Sequence, residues 1–181
     1  MARKQTGFTL LELMVTMAVA AVLLGVAIPA FSVWLPNYRL KNAALDVFSN
    51  FQQAKMMAVR ANELCRVVFD PGNDRYEIRN STGGTIKTVR LDQYGKPGEV
   101  AFGGGNATKN ATTSGGSIPG DGVSYDLPAP PPNDNTVTFN ARGMGTAGYV
   151  YLENAKGTAY AIGTESSGLI KMKKWIGGDW E

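Results

Sequence analysis

Histidine is absent from the 181-residue chain, which excludes Ser-His-Asp and Cys-His nucleophile systems and any His-ligated metal. Cysteine is nearly absent: Cys65 stands alone, so an internal disulfide and a multi-thiolate metal site are excluded. Charge of either sign is scarce in excess. The net charge of +3 is too small to imply a nucleic-acid partner by itself. No internal repeat is evident. The length suits one domain with an appendage, and 44% hydrophobic residues suffice for a core. The 22 glycines and 9 prolines favour strands and loops over a helix bundle. The apolar residues are unevenly spread, and that asymmetry is the most informative feature.

Residues 1–7 are polar, with positive charges at Arg3 and Lys4. From Phe8 to Ile28 only Thr9, Glu12 and Thr16 are polar. A helix of this length spans roughly 30 Å, the thickness of a bilayer's hydrocarbon core. Arg3 and Lys4 favour a cytoplasmic N-terminus, so the remainder would be exported. An ordinary signal peptide cut near Ala18-Val19-Ala20 is the alternative. Glu12 argues against it. A carboxylate within an apolar helix costs about 2.5–3.5 kcal/mol on insertion scales, and a disposable segment has no use for it. A retained helix keeps such a group when a partner neutralises it.

Gly7-Phe8-Thr9-Leu10-Leu11-Glu12 resembles the type III signal sequence of type IV pilins and type II secretion pseudopilins. The resemblance implies cleavage after Gly7 by a prepilin peptidase and N-methylation of the new first residue, Phe8. Glu12 would then be fifth in the mature chain. In the family's assembly model such a glutamate pairs with the α-ammonium of a neighbouring subunit. In a low dielectric that pairing would offset desolvation and fix axial register.

Past Pro29 and Pro36, the residues Leu40, Ala44, Val47, Phe51, Ala54, Ala58 and Ala61 alternate spacings of four and three. This predicts one helix face. Arg39, Lys41, Asp46, Gln53 and Arg60 fall largely elsewhere. The pattern predicts one long, gently bent helix from about Phe8 to Asn62; a separate core helix after a short linker is the alternative. After Asn62 the pattern becomes β. Segments 65–70 and 75–80 flank Asp70-Pro71-Gly72-Asn73-Asp74, a hairpin-turn signal. Further strands are expected at 85–91, 136–140, 149–153, 158–163 and 168–175. Residues 103–122 contain seven glycines, and Ala129-Pro130-Pro131-Pro132 reads as polyproline. Together, 103–134 is expected to be a mobile loop or a binding surface. The fold class is α+β, a helix spine against antiparallel sheet.

A second resemblance covers the C-terminal half. Phe139-Asn140-Ala141-Arg142-Gly143, Gly148-Tyr149-Val150-Tyr151-Leu152, Gly168-Leu169-Ile170-Lys171-Met172 and Trp175 look like the GspH/FimT domain. That family holds minor pseudopilins of type II secretion and minor pilins of type IV pili. The resemblance implies a type IV pilin-like fold with four parts: a leader (1–7), a transmembrane or filament-core helix (8–29), its amphipathic half (30–62), and a periplasmic β-rich domain (63–181). It implies a non-catalytic, single-pass inner-membrane subunit with a cytoplasmic N-terminus. Its partners would be prepilin peptidase and other pilins or pseudopilins in a periplasmic filament. No cofactor is expected. The favoured function is minor pseudopilin of type II secretion; the alternative is a type IV minor pilin. An enzyme on a membrane anchor lacks a catalytic set.

Other motifs are weaker. Gly143-Met144-Gly145-Thr146-Ala147-Gly148 fits G-x-G-x-x-G, but a strand follows where a dinucleotide site needs a helix. Asp70 with Asp74, and Asp121 with Asp126, suit turn chemistry better than calcium, so no metal site is expected. Cys65 reads as a small buried apolar side chain. Asn106-Ala107-Thr108 and Asn110-Ala111-Thr112 fit the glycosylation sequon, which would have little meaning if the protein is bacterial, as the leader's resemblance implies. Lys171 and Lys173 should share a strand face, with Lys174 and Trp175 adjacent. Lysine with an aromatic ring suits phosphate attraction and base stacking, and some FimT-like pilins bind DNA near this end. Lysines that blunt a solvated strand edge are the competing explanation. Family members often carry arginine there.

Overall fold

Helix α1 spans Leu10–Ala61 in the computed structural model, which describes residues 7–112, 115–125 and 135–181. The chain divides into two units, Met1–Leu35 and Pro36–Glu181. In the first, the helix presents apolar side chains all round, among them Leu10, Val22 and Val26, and each is exposed.

In the second unit the helix carries a buried stripe: Leu40, Ala43, Ala44, Val47, Phe51, Ala54 and Ala58. This is the face that the sequence spacing predicts, with one correction. Ala61 is exposed, because the helix ends there. Asn62 adopts φ 55°, its N–H donates to the Val59 carbonyl (3.3 Å), and the Glu63 N–H donates to the Ala58 carbonyl (3.1 Å). This is a Schellman cap with asparagine in the left-handed position.

Two antiparallel sheets pack on the stripe. The first is built from β1 (Cys65–Asp70), β2 (Arg75–Arg79), β3 (Thr85–Arg90) and β5 (Thr136–Phe139), in the order β3-β2-β1-β5. The second holds β4 (Val100–Phe102), β6 (Gly148–Asn154), β7 (Ala159–Thr164), β8 (Ile170–Ile176) and β9 (Asp179–Trp180), in the order β4-β6-β7-β8-β9. Alternation in β1 sends Cys65, Val67 and Phe69 inward. Phe51 of the helix sits 6.0–6.2 Å from the rings of Phe69, Tyr125 and Phe139, so one side chain joins helix, sheet and loop. The predicted turn at 70–74 is a 3-10 turn over Pro71–Asn73, closed by Asp74 at φ 46°. The strand expected at 85–91 stops at Arg90, because Leu91 begins a second 3-10 turn.

Over its described residues the glycine-rich stretch forms no helix or named strand and packs against the second sheet. Residues 122–124 run beside β6: the Tyr151 N–H donates to the Gly122 carbonyl and the Ser124 N–H to the Tyr149 carbonyl, both at 2.8 Å. A Cβ at Gly122 would lie 2.5 Å from the Gly103 nitrogen, and φ there is +71°, so only glycine fits this crossing. Residues 107–112 and 115–118 cover the far face of the second sheet. Ala107, Ala111 and Ile118 pack there with Tyr149, Tyr151, Trp175 and Trp180. The glycines therefore permit close approach to the sheet. The polyproline run and Asp126 lie outside the described residues.

Candidate functional site

Gly7, Phe8 and Thr9 precede the helix. Among the described residues a Cβ at Gly7 would meet nothing within 4 Å, so their packing does not demand glycine there. Phe8 is 90% exposed. Thr9 and Glu12 form a capping box. The Glu12 N–H donates to Thr9 Oγ1 (3.2 Å), and the Thr9 N–H donates to Glu12 Oε2 (3.3 Å). The sequence carries this as T-x-x-E, a pattern that the apolar run around it hides. The box turns the Glu12 carboxylate back toward the start of the chain. Beyond it, Thr16 satisfies its hydroxyl within the helix by donating to the Leu13 carbonyl (2.9 Å). Leu10–Ile28 is long and apolar enough to cross a membrane, with a mean hydropathy of 2.4. A helix apolar on every side requires lipid or other helices around it.

The basic strand is less open than its sequence suggests. Alternation along β8 places Lys171 and Lys173 on one face, as expected, together with Trp175, and Lys174 on the other, where it is exposed. Lys171 is ion-paired with Glu165, which raises the ammonium pKa above its usual value. Lys173 Nζ donates to the Ala111 carbonyl (3.1 Å) and lies 5.9 Å from the centre of the Tyr149 ring. The Trp175 ring meets Trp180 edge-on at 5.3 Å. Two of the three ammonium groups thus hold loop and strand together. The four side chains do not converge on one surface.

The remaining candidates resolve locally. Gly143–Gly148 joins β5 to β6, and Asn140 Oδ1 accepts from the N–H groups of Arg142 (2.9 Å) and Met144 (3.1 Å). A strand follows it. Asp70 accepts from Asn73 (2.8 Å) and Arg75 (2.9 Å), and these contacts hold its carboxyl below the usual range. Asp121 accepts from the Val123 N–H (3.1 Å) and Asn135 Nδ2 (3.0 Å). Among the described residues no group of three or more Cys, Asp or Glu side chains is placed to hold a metal. Cys65 is buried, and burial pushes its thiol pKa up.

Comparison with known proteins bears on both ends of the chain. Residues 2–28 match the prokaryotic N-terminal methylation motif, and residues 43–168 match the model of type II transport protein GspH. No curated protein matches the chain. Two solved structures of the minor pseudopilin EpsH from the type 2 secretion system of Vibrio cholerae are similar to it. One is 12% identical, covering 74% of this chain and 95% of that one, with a TM-score of 0.49. The other is 13% identical, covering 74% and 92%, with a TM-score of 0.47. The GspH model spans most of the helix stripe, the first sheet, and β4, β6 and β7 of the second, and on that match the chain belongs to the GspH family of type II transport proteins.

Proposed function

We propose that the chain is a minor pseudopilin, a structural subunit of the periplasmic filament that helps to drive proteins across the outer membrane. It enters the inner membrane with its N-terminus cytoplasmic. Prepilin peptidase cuts after Gly7, and Phe8 becomes the methylated first residue. The apolar helix then passes from lipid into the filament core, where Glu12 meets the α-ammonium of a neighbouring subunit. The observation that carries this reading is an apolar helical run, Leu10–Ile28, with none of it buried, preceded by Gly7-Phe8 and carrying Glu12, on a chain whose second unit belongs to the GspH family. Chemistry on a substrate has no part in it.

The test is deletion of the gene in its native host. Loss of exoprotein release, restored by the intact chain and not by Glu12→Ala, supports the reading. Normal release with loss of twitching or transformation would assign the chain to a type IV pilus instead. The internal contacts of Lys171 and Lys173 do not favour a DNA-binding role.

A further inference from the structure

Asn37 ties the turn between β6 and β7 to the helix of the second unit. Its Oδ1 accepts from Asn154 Nδ2 (3.0 Å) and Thr158 Oγ1 (2.9 Å). Asn154 Oδ1 in turn accepts from the N–H groups of Lys156 (3.0 Å) and Thr158 (3.1 Å), which shapes the turn. A Cβ at Gly157 would lie 2.3 Å from Asn106 Nδ2, and φ there is +77°, so glycine lets Asn106 sit against the turn. The end of β8 arrives beside it, since Tyr160 pairs with Lys174. Between them lies a hollow of about 450 Å³ lined by Asn106, Lys156, Lys174, Trp175 and Ile176. Lys156 and Lys174 are exposed, and among the described residues neither ammonium has an ion-pair partner. Nearby acids are engaged elsewhere: Asp179 with Lys109 (3.2 Å), and Glu99 with Arg39. Glu181 meets Lys174 through the main chain.

Two cations and an amide beside an indole and an exposed isoleucine suit an anion that carries apolar surface with it. A free inorganic anion leaves Ile176 unused. A nucleic-acid backbone needs a stripe of cations, and two make only a point contact. The headgroup of an anionic phospholipid joins a phosphate to an apolar boundary where indole rings also settle. Connectivity supplies the source. Asn37 comes nine residues after Ile28, the end of the apolar run. The covalent chain therefore keeps Asn37 within roughly 30 Å of that end, however the intervening residues bend. Phe31 and Trp34 lie in that interval, both exposed, and such aromatic rings belong at a membrane surface. A bilayer that holds the run thus stays at a high effective concentration for the hollow, and a contact of modest strength is occupied.

We propose that this hollow takes the headgroup of an anionic phospholipid, its phosphate between Lys156 and Lys174 and its apolar edge against Trp175 and Ile176. The contact holds the second unit at the bilayer before the helix leaves lipid for the filament. The inference rests on the reading above that the apolar run enters a membrane. The test uses the full-length chain in vesicles of phosphatidylcholine, with or without phosphatidylglycerol, and a photoreactive benzoylphenylalanine in place of Ile176. Irradiation should give an adduct with phosphatidylglycerol, identified by mass spectrometry, and about tenfold less adduct in vesicles that lack it. Lys156→Gln with Lys174→Gln should lower the adduct about tenfold at an unchanged melting temperature, since both side chains are exposed. At matched ionic strength, inorganic phosphate should displace no more lipid than chloride does. A second probe in place of Val15 reports insertion of the helix. A lipid adduct at Val15 without one at Ile176 overturns the proposal and leaves the membrane reading standing; no adduct at either site overturns both. An Ile176 adduct that ignores lipid charge or the two lysines, or that free phosphate displaces selectively, also overturns it.

Discussion

Thr9 and Glu12 satisfy each other's exposed N–H groups at the first turn of α1, at 3.2 and 3.3 Å. One acidic side chain therefore serves two ends: it caps its own helix, and it faces the end of the chain where cleavage after Gly7 would create an ammonium. Thr9→Ala should cost the first turn about 1 kcal/mol. Hydrogen exchange of the purified chain in detergent should then quicken at Leu11 and Glu12, with protection past Thr16 unchanged. Unaltered exchange would show that the box contributes nothing in an apolar medium.

Cap and charge are separable at the same position. Glu12→Gln keeps the capping geometry, since an amide oxygen accepts as a carboxylate does. It removes the charge that an ammonium would meet. The expected outcome is normal leader removal, normal first-turn protection and reduced incorporation into filaments, measured by co-purification with other subunits. Glu12→Ala should lose both protection and incorporation. Full incorporation of Glu12→Gln would mean that pairing with an ammonium is dispensable.

With no histidine, the second unit should show a flat stability plateau between about pH 5 and 8. Tyr76 and Tyr125 are buried, and desolvation pushes their phenols well above the ordinary 10.0. A raised folded-state pKa gives stability that is complete below the unfolded value and lost as pH climbs through the folded one. Stability should therefore fall from about pH 10 upward. On the acid side, Asp70 is held low by its bonds to Asn73 and Arg75, and Glu77 by its bond to Arg79. Their contribution is present above the usual carboxylate range and lost as pH drops through it. Thermal melts across pH should show both shoulders; a transition near pH 6–7 would contradict the account.

Trp180 fastens the glycine-rich segment. Its indole N–H donates to the Lys109 carbonyl (2.8 Å), and its ring lies 5.5 Å from that of Tyr151. Trp180→Ala should cost roughly 3 kcal/mol and release residues 107–112 from the sheet. Limited proteolysis should then cut this segment, which the parent chain protects.

The basic strand gives a negative prediction. With Lys171 and Lys173 held internally and Lys174 on the opposite face, DNA should not be retarded in a gel even at low salt. A salt-sensitive shift, lost when Lys171, Lys173 and Lys174 are all replaced by alanine, would restore the DNA-binding reading.

What the sequence discloses follows the range of the interactions. The stripe from Leu40 to Ala58 and the hairpin around Pro71–Asn73 are local, so spacing and turn chemistry reveal them. Strand β4 is three residues among glycine and proline, and β9 is two residues after Gly177-Gly178, too short for alternation to show. The shared face of Lys171 and Lys173 is readable from period two. Their partners, Glu165 and the Ala111 carbonyl, are not, because the fold brings them from other segments. The same holds for Lys109 and Ala111, in a stretch whose glycine content reads as a loop while Tyr151, Trp180 and Lys173 fasten these two residues to the sheet.

The central claim is that Glu12 is retained because scission places an amino terminus where a carboxylate can meet it. Intact-mass and peptide mass spectrometry of the chain from native membranes tests it most directly. The account predicts a chain that starts at Phe8 and carries one methyl group on its amino nitrogen. A chain that keeps its first seven residues, or is cut beyond position 12, would contradict it.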